Sequence, residues 1–411
     1  AYYYPSVSGG FIFSHFIQTP WLTSGKLRLN YAEVGNSAPA QSINDVYAPQ
    51  TAFGSAALFA VNATKNNPTL RPERTKSTEG GIEMAMLQGR LGFDVTYYQS
   101  LSVDQIVPVA VSTATGYSYK FINAGVIQNK GVEVSLYGTP VKIRGFSWTV
   151  GLNWSRNRNL VKELPVDNFQ LGAFQGGVSI NAALGQPYGT IRGNNFVYND
   201  KGEKLIDDDG YYQMSGTSNE VIGNVNPNWI GGLTNTFRYK SLSFNFLIDV
   251  RQGGSLFTLD KYYGLATGLS VETVGNNDLG KPSRNDLADG GGVVLPGVLG
   301  DGTANTKRVS NANYGLYGYA RNPAAAFVYD ASYVKLREVA LTYSIPAVVL
   351  SKVSFVKGID LSIIGRNLWI IHKNLPDADP EDTISSVNVQ GYQGGSYPAT
   401  QNLGFNVKLR F

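Results

Sequence analysis

The chain has 411 residues, 16% of them charged and 12% aromatic, with 47 glycines, 25 tyrosines, two histidines and no cysteine. Zero cysteine excludes a disulfide scaffold, thiolate metal sites and cysteine catalysis, and the well-separated His15 and His372 offer no metal spacing. A formal charge of +4 is too weak to point to nucleic acid, whereas glycine at 47 of 411 residues exceeds the usual ~7% and charge falls below the usual ~25%, a balance that suits an all-β chain touching something apolar.

The chain opens Ala1-Tyr2-Tyr3-Tyr4-Pro5, without the basic n-region and continuous apolar core of a signal peptide. It reads like the middle of a protein. From there the dominant period is two. A strand is expected over 2–13 and another over 24–34, where Leu27, Leu29 and Tyr31 alternate with Lys26, Arg28 and Asn30. Strands at 75–87 and 90–101 meet in the turn Leu87-Gln88-Gly89-Arg90, and Leu91, Phe93, Val95 and Tyr97 alternate with Gly92, Asp94, Thr96 and Tyr98. Strands at 127–138 and 145–156 follow, the second with Phe146, Trp148, Val150, Leu152 and Trp154 on one face. Those at 228–240 and 241–251 join at Tyr239-Lys240-Ser241; the last are 333–345, 357–367 and 401–411. No run reaches the ~18 to 20 continuous apolar residues of a membrane helix, but roughly nine to eleven alternating residues suit a tilted strand crossing a bilayer.

Connections decide between a soluble sandwich and a membrane barrel. Short or intermediate links alternate with long ones at 35–74, 102–126, 157–227, 252–332 and 368–400. Outer-membrane barrels alternate short periplasmic turns with long extracellular loops, and unstructured loops beyond ~15 residues are foreign to compact soluble domains. On this pattern the final strand runs down and Phe411 ends in the periplasm. Counting back through about eleven strands puts Ala1 outside. A bacterial barrel has an even strand number, so residues 1–411 are expected to be the C-terminal part of one barrel domain.

Several segments resemble a known family. They include Tyr4-Pro5-Ser6-Val7-Ser8, Lys26-Leu27-Arg28-Leu29-Asn30-Tyr31, Leu70-Arg71-Pro72-Glu73-Arg74-Thr75-Lys76-Ser77 and Asn129-Lys130-Gly131-Val132-Glu133. Ile222-Gly223-Asn224-Val225-Asn226-Pro227, Gly231-Gly232-Leu233-Thr234-Asn235 and Tyr333-Val334-Lys335-Leu336-Arg337-Glu338 follow, then Gly365-Arg366-Asn367-Leu368, Asp379-Pro380-Glu381 and the terminal Phe411. In this order they resemble the C-terminal half of a SusC-type TonB-dependent outer-membrane transporter of the Bacteroidetes kind. The resemblance implies a 22-stranded plugged barrel, with the N-terminal half of that barrel, its plug and the TonB-contacting segment lying outside this chain. It also implies a SusD-type lid lipoprotein and import of oligosaccharides or peptides driven through TonB.

Leu403, Phe405, Val407, Leu409 and Phe411 are read as an assembly signal, a terminal amphipathic strand ending in an aromatic residue. Trp148, Trp154, Phe146, Tyr97, Tyr98, Phe405 and Phe411 are candidates for aromatic girdles at the membrane interfaces. Substrate contact is expected from loop tyrosines: Tyr314, Tyr317, Tyr319, Tyr392 and Tyr397, with Tyr262 and Tyr263 beside them. Asp207 and Asp209, in Asp207-Asp208-Asp209-Gly210, are the candidate ligands for a structural Ca2+, against a plain Asp/Gly turn. The glycine-rich stretches at Gly253-Gly254, 290–292 and 394–396 read as flexible loop. No catalytic residue stands out. A receptor or adhesin barrel without transport and a soluble all-β carbohydrate-active enzyme are the alternatives.

Overall fold

The computed structural model describes every residue except 1, 18, 313–314, 351–354, 384–388, 396 and 398. All eleven expected strands form and lie in one sheet. They are β1 (Ser6–Phe11), β2 (Leu22–Asn36), β3 (Glu73–Met86), β4 (Leu91–Val103), β5 (Val126–Ile143), β6 (Phe146–Glu163), β7 (Trp229–Tyr239), β8 (Leu242–Gln252), β9 (Tyr333–Ser344), β10 (Gly358–Lys373) and β11 (Asn402–Arg410). Each neighbours the next in chain order, an antiparallel up-and-down meander. β5 and β6 each run 18 residues and β10 runs 16, beyond the expected ends. The backbone ladder continues where the side-chain pattern has already turned polar, so hydropathy marks only the apolar stretch of each strand.

The chain divides into two compact units, 1–169 with 183–188 and 231–240, and 170–182 with 189–230 and 241–411. In the first unit, register stacks the apolar residues in rows across β2–β6. One row is Leu27, Ile82, Val95, Val134 and Trp154; the next toward the short turns holds Met84, Phe93, Leu136 and Leu152. This face is uncovered: Leu29 is 71% exposed.

The opposite face is polar and cross-braced through glycine. Gly81 sits between Arg28 and Thr96, and the Arg28 guanidinium passes over it to donate to Asp94 Oδ1 at 2.5 Å. Gly131 sits between Tyr98 and Asn157, and Tyr98 Oη crosses it to donate to Asn157 Oδ1 at 3.1 Å. A Cβ on Gly131 would lie 2.5 Å from the Arg156 carbonyl oxygen and 2.6 Å from Tyr98 Oη. Tyr98 is therefore a bracing residue on the polar face, not a girdle partner of Tyr97, because adjacent strand residues point to opposite faces.

In the second unit, Phe244, Leu341, Ile363 and Phe405 form one apolar row and Leu242, Tyr343, Leu361 and Val407 the next. These rows too are exposed, and the fully buried core lies elsewhere. It is built by the long connections, which were expected to lack structure. Val178, Phe257, Leu265, Ala324 and Phe327 make one cluster, Ile206, Leu295, Val309 and Leu316 a second, and Leu256, Ala331 and Leu375 a third. Connections of this length leave many peptide groups to satisfy, and they do so in small sheets of two to four strands. Gly253 and Gly254, expected to be flexible, are an ordered turn at φ 77° and 87°, and a Cβ on Gly253 would strike Asn228 at 2.5 Å.

Gly131→Val in the full-length protein is expected to destabilise the sheet by ~1–3 kcal/mol through overpacking. Gly9→Ala, at a site where the added carbon meets nothing within 4 Å, is the matched control. Thermal unfolding of the two variants, read by the heat-dependent gel shift of the barrel, checks the difference.

Candidate functional site

The loop body of the second unit gathers the tyrosines. Strand Ser255–Thr258 leads directly into the Leu259–Ala266 helix, whose N-cap Thr258 accepts from the Lys261 backbone N–H at 3.4 Å through its hydroxyl. Phe257 and Thr258 pair in parallel with Tyr392 and Gln393, which carries the segment near the C-terminus against the helix. The result is a ladder of rings. Tyr392 stacks on Phe174 at 4.5 Å and on Phe257 at 5.5 Å; Phe257 meets Phe327 edge-on; Phe327 meets Tyr262; and Tyr262 stacks on Tyr319 at 4.6 Å. Tyr263 closes the open end, edge-on to Tyr262 and Tyr319, with its hydroxyl accepting from the Gln175 side-chain amide.

Only the end of the ladder is open. Tyr263 and Tyr319 are partly exposed, whereas Tyr392 is taken up inside it. Tyr317 lines a separate cleft of about 790 Å³ with Phe196, Tyr212, Lys204 and Tyr329. Tyr397 is 97% exposed and Tyr314 lies outside the described residues. Burial first, then the neighbouring phenols, pushes the Tyr262 and Tyr392 hydroxyls above the ordinary tyrosine range. They stay neutral at any physiological pH and can donate or accept.

Beside the ladder is an ionic cluster that sequence reasoning missed. Lys335 on β9 is 2% exposed, and its ammonium donates to both Asp379 carboxylate oxygens at 2.6 and 2.8 Å and to Glu381 at 2.5 Å. Arg337, two residues on and so on the same face, bridges Glu381 and Asp249. The signal was present as a basic pair at period two and an acidic pair in Asp379-Pro380-Glu381, but nothing local joins residues so far apart. Burial opposes charge on Glu381, yet hydrogen bonds from Arg337 and Lys335 prevail and hold it at about 2. Asp382 next to it is pushed up to about 6, by burial first and then by Asp379, with Asp260 and Glu381 adding and Lys335 opposing.

The Asp207 carboxylate accepts from the backbone N–H groups of Asp209 and Tyr211, each at 2.9 Å, and Asp209 lies 3.6 Å from the Lys307 ammonium. Among the described residues no three acidic or imidazole side chains converge as a metal set. Both aspartates are thus engaged in a turn and an ion pair.

The family described as TonB dependent receptor-like, beta-barrel, matches residues 3–168. TonB-dependent receptor P3 of Formosa agariphila is 26% identical over 95% of this chain and 40% of its own length. SusC of Bacteroides thetaiotaomicron is 22% identical over 95% of this chain and 38% of its own. A solved structure of the RagAB peptide importer in the closed-closed state shares the fold over 99% of this chain and 43% of that one, with a TM-score of 0.74 at 18% identity. Residues 3–168 match this receptor barrel family, and the eleven strands share the fold of its SusC-like relatives.

A match to receptor barrels along the sheet speaks against the soluble all-β alternative. This SusC-like chain spans about 40% of the length of the relatives it matches. Its uncovered apolar rows now have a solvent. Leu403, at 81% exposure, and Phe405, Val407 and Leu409 continue the rows of β8–β10 onto β11. Phe411 lies beyond that strand and stacks on Phe355 at 6.4 Å.

The two titrating carboxylates give the 374–383 segment opposed pH dependences. Glu381, normally near 4.5 and held at about 2, contributes stability that is present above 4.5 and lost as pH falls toward 2. Asp382, normally near 3.8 and raised to about 6, contributes stability present below 3.8 and lost as pH rises through 6. Hydrogen-exchange protection of this segment, corrected for intrinsic rates, is expected to peak near pH ~4.5. In Asp382→Asn the decline between pH ~4 and ~6 should vanish.

Proposed function

We propose that this chain forms part of the barrel wall and the extracellular loops of a TonB-dependent importer of oligosaccharides or peptides, acting with a SusD-type lid lipoprotein. The observation that carries the reading is the ring ladder, whose open end presents Tyr263 and Tyr319 from loops packed by their own core. Aromatic faces edged by neutral hydroxyls and the Gln175 amide suit sugar rings and extended peptides alike. A relative named as a peptide importer shares the fold, and SusC is similar along nearly the whole chain. The long connections lie on the extracellular side, the short turns and Phe411 on the periplasmic side. β1 and β11 are the two edges of the sheet, and a bilayer tolerates no open edge, so the N-terminal half of the same receptor closes the barrel. Energy reaches the substrate from TonB through the plug of that other half. Leu403, Phe405, Val407, Leu409 and Phe411 serve as the assembly signal.

Cells expressing the full-length receptor with its lid partner should take up labelled oligosaccharide or peptide mixtures only when TonB is functional. Tyr319→Ala removes one stacking face, worth ~0.5–1.5 kcal/mol, and should weaken capture roughly three- to tenfold without reducing the amount of receptor in the membrane. Binding that persists while TonB-dependent uptake is absent would instead make the protein a receptor without transport. Deleting Phe411 should lower the assembled outer-membrane fraction severalfold, measured by fractionation; wild-type assembly of that variant would refute the signal.

A further inference from the structure

The cleft that Tyr317 lines belongs wholly to the second unit, and its volume of about 790 Å³ falls in the range of small-ligand sites. Its chemistry is one-sided. Lys204 reaches it from a tight local turn, in which the Asn199 side-chain oxygen accepts from the backbone N–H groups of Lys201 and Glu203 at 3.0 and 2.9 Å. The Lys204 ammonium rests over the Phe196 ring, 3.6 Å from its centroid, and 5.0 Å from that of Tyr212. Among the described residues no carboxylate lies within ion-pair distance of it, and burial pulls it below the usual lysine range. The cleft's own carboxylate, Glu272, is taken by Lys261 at 2.7 Å. The phenols around the ammonium are uncommitted. Tyr212, Tyr317 and Tyr329 are half-buried, and none of their hydroxyls has a hydrogen-bond partner among the described residues. Burial, the first cause at each, raises all three above the ordinary tyrosine range, so each keeps a proton to give.

An aromatic-walled cleft with an ammonium and three uncommitted hydroxyls suits an anion carried on a body that both donates and accepts. Sugar hydroxyls do both, as the phenols do. A peptide would bring amide donors, and two of the oxygens that could meet them are occupied: those of Glu272 by Lys261, and the Asn195 side-chain oxygen by the Phe196 backbone N–H at 2.9 Å. We propose that this cleft binds a sugar acid, with its carboxylate on Lys204 and its hydroxyls on Tyr212, Tyr317 and Tyr329. The ammonium has three protons to donate, and the two rings occupy only one side of it. A carboxylate there makes a charge-assisted contact in a partly desolvated place, where such contacts are stronger than in open water. The inference rests on the import reading and deepens it by giving the cargo a negative charge.

Titration calorimetry on the purified full-length receptor in detergent tests the site. The probes are oligogalacturonate, oligoalginate and hyaluronan oligosaccharides, each beside its methyl ester. At least one acid should bind, and its ester should bind roughly tenfold more weakly or worse, the loss expected for one hydrogen bond to a charged group. In Lys204→Gln the acid should fall to the affinity of the ester, while the ester itself is unmoved. Lys204→Arg keeps the charge and should retain part of the preference. Equal binding of acid and ester, undiminished acid binding in Lys204→Gln, or no binding of any acid overturns the proposal. So does a peptide whose free C-terminal carboxylate binds through Lys204 where no sugar acid does. If Lys204→Gln does not assemble, the wild type decides: preference for acid over ester supports the site, and equality refutes it. Binding needs no TonB, which separates the two readings. Acid-selective binding through Lys204 without TonB-dependent uptake supports the site and sinks import; TonB-dependent uptake with no acid selectivity sinks the site alone.

Discussion

The backbone ladder governs this molecule. Inside a bilayer no water can satisfy a peptide group, so every N–H and C=O of a crossing strand must pair with a neighbouring strand. Once that is done, side chains need not hold the sheet together from within. They become free to be apolar toward lipid and polar on the other face, the reverse of a soluble core. The structure follows this logic: Phe244, Leu341, Ile363 and Phe405 are exposed in one register row, while Phe257 and Phe327, fully buried, are in the loops. The polar face makes up for the missing core by reaching across strands, as Arg28 does over Gly81 and Tyr98 over Gly131. Glycine weakens a strand on its own account; here it is the gap that lets the brace pass.

The loops face the opposite problem. They are in water, too long to remain without structure, and must hold a shape of their own. Two devices do this. One is an ordinary apolar core with aromatic stacking continued out to Tyr263 and Tyr319. The other is the buried pairing of Lys335 with Asp379 and Glu381, which ties the segment before Tyr392 to the loop-side end of β9. Buried ion pairs add little net stability because desolvation offsets the attraction. They are selective about position, however, since a displaced carboxylate leaves Lys335 buried without a partner, and that is costly. The pairing therefore fixes where the segment sits more than how firmly the whole protein folds.

What the sequence made legible is what repeats locally. Alternation at Leu91, Phe93, Val95 and Tyr97 located a strand and its two faces, and the same signal found all eleven. Strand ends were less visible because the ladder outlasts the hydropathy pattern, as at Asn157–Asn159, beyond the expected end at 156. Tyr97 and Tyr98 cannot both be girdle residues, because the same period of two that marks the strand puts them on opposite faces. The loop body was hidden for a different reason. Tyr262, Tyr319, Phe174 and Tyr392 come from distant segments, and no local pattern says that they stack. The pairing of Lys335 with Asp379 is equally non-local; its residues were noticed as a family resemblance, without the reason that they meet.

This division of labour has a consequence for how such a barrel can change. A substitution on the wall acts on a ladder shared by every strand, so its tolerance is set by register and by the room left at glycines such as Gly81 and Gly131. A substitution at the open end of the ring ladder acts on a surface carried by connections with their own buried core. The two are held by different forces, hydrogen bonding in the wall and apolar packing with a few buried charges in the loops. The loop surface can then be altered at Tyr263 or Tyr319 while the backbone ladder of the wall stays intact. The Lys335 cluster is the exception, because it stands where loop meets strand. Asp379 and Glu381 belong to the 374–383 segment, Asp249 to β8 and the two basic residues to β9. A change there acts on the loop body without altering any residue of the ring ladder.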